Sequence, residues 1–225
     1  MAMAEEFFGS CQRGDLEAVQ AALESGVDVN IQDRTRDRRT GLMWALLANK
    51  PEVAIFLLEQ PGININHTTD SGITALHQAA RSEENIEVLA LLLKRPEMMT
   101  INKTDRWGHT PLFWAVDGGA TKCAELLLRD ARTDPDWRDP GMRLFGEEFR
   151  DAGDSPLMRA MKKNSVESNV ECIRILLGDN RVDLTIRDKY RWSGKEWARL
   201  LSFPLNFVES KNYCKWQIIS FSESL

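Results

Sequence analysis

A cluster of arginine side chains is the first feature of this chain that could support specific chemistry. Residues 33–39 contain four arginines and two aspartates, although the formal net charge of the 225-residue chain is −5. Arginine can bind a carboxylate or a phosphate through two parallel hydrogen bonds. Arg34, Arg36, Arg38 and Arg39 therefore predict a docking point for an acidic or phosphorylated peptide. The alternative is a solvated loop with internal Asp–Arg pairs, each worth about 0–1 kcal/mol.

Two further segments place basic residues beside large aromatic rings. They read Arg-Trp-Gly-His from residue 106 and Lys-Tyr-Arg-Trp from residue 189. Tryptophan, tyrosine and arginine are enriched at the residues that contribute most to protein–protein binding. If they are exposed, we expect partner contacts from Arg106, Trp107, His109, Tyr190, Arg191 and Trp192. Alternatively, Trp107 and Tyr190 lie flat against a neighbouring segment of the chain.

Residues typical of catalysis, metal binding or cofactor binding form no recognisable pattern in the sequence. The three histidines lack metal-ligand spacing, and there is no phosphate-binding glycine-rich loop. The four cysteines are far apart, which predicts reduced, buried thiols: Cys11, Cys123, Cys172 and Cys214. We therefore predict a non-enzymatic protein without a metal or a cofactor.

The elements that position these residues follow from an internal repeat. Variants of one four-residue phrase begin at Thr40, Thr74, Thr110 and Ser155, at steps of 34, 36 and 45 positions. Each phrase is followed by a helix of small residues, a short loop and a leucine-rich helix. Thr or Ser can cap the first helix by accepting a backbone N–H. Since one helix pair cannot cover its own apolar face, the units must stack.

These phrases, with the preceding Asp-Arg-Trp-Gly-His at 105–109, resemble the ankyrin-repeat family. The resemblance implies an all-α solenoid of stacked helix-turn-helix units with projecting hairpins, called fingers. It covers residues 1–203, as about five repeats and a partial sixth, and leaves 204–225 as a non-ankyrin tail or cap. In such a fold, first helices line the concave wall, and partners bind to them and to the fingers. His77 is expected to link a finger backbone to a helix start.

Several positions depart from the family pattern or repeat within it. Arg38 replaces the glycine that usually precedes the helix cap, so we expect a different turn there. Trp44, Trp114 and Trp197 occupy one repeated position, which favours core packing between units. An insertion at residues 138–152 forms either a partner-binding loop or a cover for its own repeat. The tail is a strand-like or irregular cap, a motif for an assembly partner, or the end of a variant chain.

Charge and hydropathy limit the classes of partner. The acidic balance argues against nucleic acid as the main partner, and no run of residues approaches the ~20 apolar residues needed to span a membrane. We predict an intracellular, cytoplasmic or nuclear adaptor, scaffold or inhibitor that binds another protein. The alternatives are a substrate-recognition subunit of a ubiquitin ligase and the repeat region of a larger signalling protein. The tail lacks the leucine-rich helical box that the ligase alternative requires.

Overall fold

The computed structural model of the chain describes residues 2–137, 154–163, 167–187, 191–196, 205–210 and 213–218. Ten α-helices in these residues form five successive pairs, which we number in chain order. Their bounds are α1 Ala2–Arg13, α2 Leu16–Glu24, α3 Gly41–Leu47, α4 Pro51–Leu58, α5 Ala75–Ala80, α6 Ile86–Lys94, α7 Pro111–Gly118, α8 Thr121–Arg129, α9 Pro156–Lys162 and α10 Glu167–Gly178.

The helices stack in two layers. The first helices α1, α3, α5, α7 and α9 contact one another in order, and so do the second helices α2, α4, α6, α8 and α10. Leucines of the second helices are completely buried between units: Leu57, Leu89, Leu92, Leu127 and Leu176. Burying a leucine side chain stabilises the fold by about 1.5–3 kcal/mol. The predicted all-α solenoid of stacked pairs is confirmed.

The first helix of each central unit begins at the predicted capping residue. The hydroxyl oxygens of Thr40, Thr74, Thr110 and Ser155 each accept the backbone N–H three residues later, at 3.2–3.4 Å. Pro111 and Pro156 occupy the first helical position, where no N–H is needed. These caps fix the helix starts and thereby the direction in which each finger enters its helix.

The first finger is longer than those that follow it. Strands β1 (Gln32–Asp33) and β2 (Arg39–Thr40) pair antiparallel in it, whereas the second finger has a single bridge from Thr68 to Thr74. Arg38 has a φ of 54°, in the left-handed region that Gly72 and Gly108 occupy in the second and third fingers (77° and 80°). Asp37 is also left-handed, with a φ of 63°. The turn of the first finger therefore contains one more left-handed residue than those of the second and third fingers. Arg38 itself adopts the backbone conformation that glycine has in them.

Asparagine side chains connect successive repeats. The amide nitrogen of Asn30 donates to the Gly62 carbonyl at 2.8 Å, and its oxygen accepts the Asn64 N–H at 2.7 Å. Asn66 and Asn102 make the same pair of bonds one and two repeats further on. Each amide thereby satisfies one backbone donor and one backbone acceptor of the next unit.

A second series of contacts joins the repeats through arginines. The guanidinium groups of Arg95, Arg132 and Arg181 donate to carbonyls at or near the C-terminal ends of preceding second helices, at 2.6–2.8 Å. Helix C-termini leave carbonyls unpaired and carry partial negative charge, so a cation stabilises them. The sequence interpretation did not include this role.

The C-terminal segment carries two strands. Strand β3 (Leu205–Ser210) pairs antiparallel with β4 (Tyr213–Ile218), and β4 contacts α10. Of the alternatives for the tail, the strand-like one agrees with this arrangement. The insertion 138–152 lies outside the described residues, as do Trp197 and Tyr190.

Candidate partner-binding groove

A groove of about 270 Å³ lies where the third finger, residues 105–109, meets the layer of first helices. The third finger supplies three of its residues, α7 supplies three more, and the other two follow α5 or belong to α9. From here on, the groove means the space lined by these eight residues. They are Arg81, Asp105, Trp107, His109, Phe113, Trp114, Asp117 and Arg159.

Asp105 organises the finger side of the groove. One carboxylate oxygen accepts the backbone N–H groups of Trp107 and His109, both at 2.9 Å. The other oxygen accepts the indole N–H of Trp114 at 2.9 Å. Burial alone raises the pKa of Asp105, but the bonds from His109 and Trp114 outweigh burial and lower it. The Asp105 side chain is therefore an ionised carboxylate. Its oxygens already accept hydrogen bonds from its own finger and from α7.

Aromatic rings form the wall of the groove. His109 stacks on Phe113, with ring centroids 4.1 Å apart and an interplanar angle of 2°. The Arg106 guanidinium lies 4.1 Å from the centre of the Trp107 ring. Both contacts hold the rings in one orientation, which lowers the entropy lost when a partner binds.

Guanidinium groups flank these rings. Arg81 lies 5.9 Å from the Trp114 ring centre and makes no ion pair within the described residues. Arg159 pairs with Asp117 at 2.6 Å, and Lys163 pairs with the same carboxylate at 2.8 Å. Burial raises the pKa of Asp117, but these two cations lower it further than burial raises it. The negative charge of Asp117 is thus balanced by Arg159 and Lys163, and this side of the groove carries a net positive charge.

His77 lies beneath the groove and is completely buried. Its Nδ1 accepts the Thr74 N–H at 3.2 Å, so Nε2 carries the proton that is donated to the His109 carbonyl at 3.0 Å. Burial lowers the pKa of His77 to about 4, which keeps the ring neutral. The predicted link between a finger backbone and a helix start is confirmed, and it supports the third finger from below.

A second group lies on the first finger. The guanidinium groups of Arg36 and Arg39 lie 5.5 and 5.1 Å from the ring centre of Trp44, which is only 4% exposed. We call these three residues the first-finger cluster. Arg38 instead donates to the Gln32 side chain at 2.9 Å, and Arg34 is exposed.

The first and third fingers are connected through the second. The N–H and hydroxyl of Ser71 donate to Asp37 at 2.8 and 2.9 Å, and the Arg106 N–H donates to the Ser71 carbonyl at 2.8 Å. The three fingers therefore form one hydrogen-bonded row, in which Arg106 is the predicted residue that takes part. Arg191 and Trp192 are exposed on the fifth finger.

The core prediction for the repeated tryptophan holds at Trp44 and is wrong at Trp114. Trp114 is only half-buried and lines the groove, because Asp105 holds its indole N–H at the groove surface. Five other groove residues were also missed: Arg81, Asp105, Phe113, Asp117 and Arg159. A usable signal exists for one of them, since Arg159 stands four positions after Ser155, as Trp114 does after Thr110.

Three cysteines of the described residues carry buried thiols. Burial raises the pKa of the Cys11 and Cys123 thiols to about 12, so both remain protonated at neutral pH. Among the described residues, no group of three or more His, Cys, Asp or Glu side chains could hold a metal ion. None of the described helices has the length and apolar character needed to cross a bilayer.

The family model for ankyrin repeats in three copies matches residues 7–105 and 96–188. The chain belongs to the ankyrin-repeat family. A crystal structure of the ankyrin repeat protein EF0377 is similar over 88% of this chain and 92% of its own, with a TM-score of 0.71 and 22% identity. That likeness confirms the fold.

Curated relatives are larger proteins that share only the repeats. The putative ankyrin repeat protein FPV031 of fowlpox virus is 31% identical over 156 residues, which are 69% of this chain and 43% of the relative. Phosphocholine transferase AnkX of Legionella pneumophila is 33% identical over 58% of this chain and 14% of the enzyme. Human SH3 and multiple ankyrin repeat domains protein 2 is 32% identical over 52% of the chain and 6% of that protein. The chain therefore spans less than half the length of these relatives.

Proposed function

We propose that this chain is a non-catalytic adaptor, scaffold or inhibitor, located inside the cell, that holds an extended segment of a partner protein. Ankyrin repeats are general protein-interaction modules, and family membership supports this class of function. The partner would lie along the fingers and the first helices, with its main contacts in the groove.

The observation that carries the proposal is the concentration of rings and guanidinium groups in one concave site. Two tryptophans, a phenylalanine and a histidine line the groove beside Arg81 and Arg159. Aromatic residues and arginines in such pockets contribute most of the binding energy at protein interfaces. The rings are already oriented by Asp105 and by stacking, so little ordering is required on binding.

The ionisable groups of the groove support a non-catalytic role. Asp105 accepts three hydrogen bonds from its own finger and helix, and Asp117 is paired with two cations. His77 is buried and neutral. A general acid or base needs a proton-accepting or proton-donating atom within reach of a substrate. These groups instead use their atoms to hold the fold together.

The proposal is tested by affinity capture from native cells with the full chain and three variants. Arg106→Ala and Trp107→Ala alter the third finger, whereas Arg129→Ala removes another exposed arginine from α8 in the second-helix layer. A partner that binds through the groove is retained by wild type and by the Arg129 variant, and its affinity falls about tenfold or more with Trp107→Ala. If all three variants retain it equally, the partner does not bind there.

The ubiquitin-ligase alternative receives no support from the C-terminal segment. A receptor of that type carries a leucine-rich helical box after its repeats, whereas residues 205–210 and 213–218 form strands. We therefore retain the interaction module as the proposed function.

A further inference from the structure

We propose that the first-finger cluster binds the carboxylate of an aspartate or glutamate side chain in an extended acidic segment of the partner. This inference rests on the proposed function and narrows it to a class of ligand. It concerns Trp44, Arg36 and Arg39, which are separate from the groove around Trp114.

Two tryptophans at equivalent positions of their repeats provide an internal comparison. Trp114 stands four residues after its capping threonine and donates its indole N–H to Asp105 at 2.9 Å. Trp44 stands at the same position in its own repeat, yet its Nε1 is buried without a hydrogen-bond acceptor in the described residues. The Nε of Arg39, stacked on the same ring, is buried and lacks an acceptor there as well.

The length of the first finger explains the missing acceptor. Asp33 corresponds to Asp105, since both stand three positions after the asparagine that links the repeats. Asn30 and Thr40 are ten positions apart, whereas Asn102 and Thr110 are eight apart.

In the longer finger, one oxygen of the Asp33 carboxylate is engaged by the turn that follows β1. It accepts the Thr35 N–H and hydroxyl at 3.0 and 2.6 Å, while the indole of Trp44 is left without a carboxylate. A buried donor without an acceptor is unfavourable, so a ligand that supplies the acceptor gains binding free energy.

The charge around this ring favours an anion. Arg34, Arg36 and Arg39 make no ion pair with any carboxylate in the described residues. The guanidinium groups of Arg36 and Arg39 both lie over the Trp44 ring, so they shield it from a cationic ligand. The Nε1 atom of Trp44 and the Nε atom of Arg39 are both buried, so a side chain at the surface of the first finger must move aside when the anion enters.

A carboxylate matches this arrangement better than a larger anion. Asp105 already shows, within the same chain, how one carboxylate oxygen binds the indole while the other accepts further N–H groups. Both anions can bind a guanidinium through two parallel hydrogen bonds, but a carboxylate is planar and small, whereas a phosphate is tetrahedral and larger. The donors at Trp44 are also buried, which favours the smaller group.

The spacing of the repeats sets the length of the segment. Trp44 and Trp114 are two repeats apart, and packed helices lie about 8–10 Å apart, so the two rings are separated by roughly 16–20 Å. An extended chain rises about 3.3 Å per residue, so about five or six residues connect the first-finger cluster to the groove. Acidic side chains at both ends would reach Arg39 and Arg81.

The test uses the full chain and short fluorescent peptides of three kinds: glutamate-rich, the same peptide with glutamine, and the same peptide with phosphoserine. We expect the glutamate peptide to bind and the glutamine peptide to bind at least about tenfold more weakly. Trp44→Phe keeps an aromatic ring at this position but removes the indole N–H. Arg39→Gln removes the guanidinium charge that is stacked on the ring. Each should weaken the glutamate peptide by about tenfold.

Two controls keep the result specific. Arg34→Gln removes one charge from the same finger without touching Trp44, and it should weaken binding by less than about threefold. Thermal unfolding and circular dichroism verify that Trp44→Phe is folded. In an NMR titration, the indole N–H signal that disappears in Trp44→Phe should shift when the glutamate peptide is added to wild type.

Three results would overturn the inference. These are equal binding of the glutamate and glutamine peptides, unchanged affinity in Trp44→Phe, and preferential binding of the phosphoserine peptide. In each case the proposed function stands as long as a captured partner still depends on Trp107. If capture is instead unaffected by Trp107→Ala, the proposed function fails, whatever the peptides show.

Discussion

His77 makes the stability of the chain depend on pH in a range where few other groups contribute. Its pKa is about 4 in the folded chain, against 6.5 for an ordinary histidine, because the ring is buried. Between these values, the unfolded chain binds a proton that the folded chain does not. The stability due to neutral His77 is therefore fully present above pH 6.5 and is lost as the pH falls towards 4.

The size of this effect follows from the two pKa values. The complete shift corresponds to about 3 kcal/mol, and about 2 kcal/mol of it is lost between about pH 7.5 and pH 5. Asp105 and Asp117 have lowered pKa values, so the stability that they contribute is lost only below their usual value of 3.8. Protonation of these two carboxylates therefore does not change the unfolding free energy above pH 5, where protonation of His77 does.

Urea unfolding followed by circular dichroism measures this loss. Wild type should lose about 2 kcal/mol of unfolding free energy between about pH 7.5 and pH 5, and His77→Gln should lose about 2 kcal/mol less than wild type over the same interval. The matched control His67→Gln leaves His77 in place and should retain the loss. If His77→Gln shows the same dependence as wild type, the buried neutral histidine is not its cause.

Three further substitutions test other contacts by the same unfolding assay. Asp105→Asn weakens the acceptor for three N–H groups and should lower stability by about 1–3 kcal/mol, with a change in Trp114 fluorescence; an unaltered spectrum would contradict this bond. Asn102→Ala removes two hydrogen bonds to the backbone of the next repeat and should lower stability by about 1–3 kcal/mol; a neutral effect would show that water replaces the amide. Gly118→Ala places a Cβ against the Arg81 carbonyl oxygen and should destabilise the chain by about 1–3 kcal/mol, whereas a stabilising effect would refute this close contact.

The repeat phrase made the fold readable because each of its residues has a local role. The hydroxyls of Thr40, Thr74 and Thr110 cap helices through bonds that span three positions, so sequence spacing alone predicts them. The buried leucines follow from helical periodicity in the same way. Contacts of this kind form within one repeat, and the sequence pattern of that repeat recurs several times in the chain.

Features that depend on two units were harder to predict. Arg132 donates to the carbonyl of Leu93, which lies 39 positions earlier, and nothing in either residue's neighbourhood indicates the pairing. Trp44 and Trp114 occupy equivalent positions, yet a difference of two residues in finger length decides which of them finds a carboxylate. The sequence therefore predicted contact residues on the first and third fingers but not the groove where the third finger meets α7.

Hydrogen–deuterium exchange of the full chain, with and without a purified captured partner, tests the central claim most directly. We predict that binding slows exchange in the first and third fingers and in α7, while α6 and α8 in the second-helix layer keep their rates. Slowed exchange confined to α6 and α8, with unchanged rates at residues 33–40 and 105–117, would show that the partner binds the opposite face.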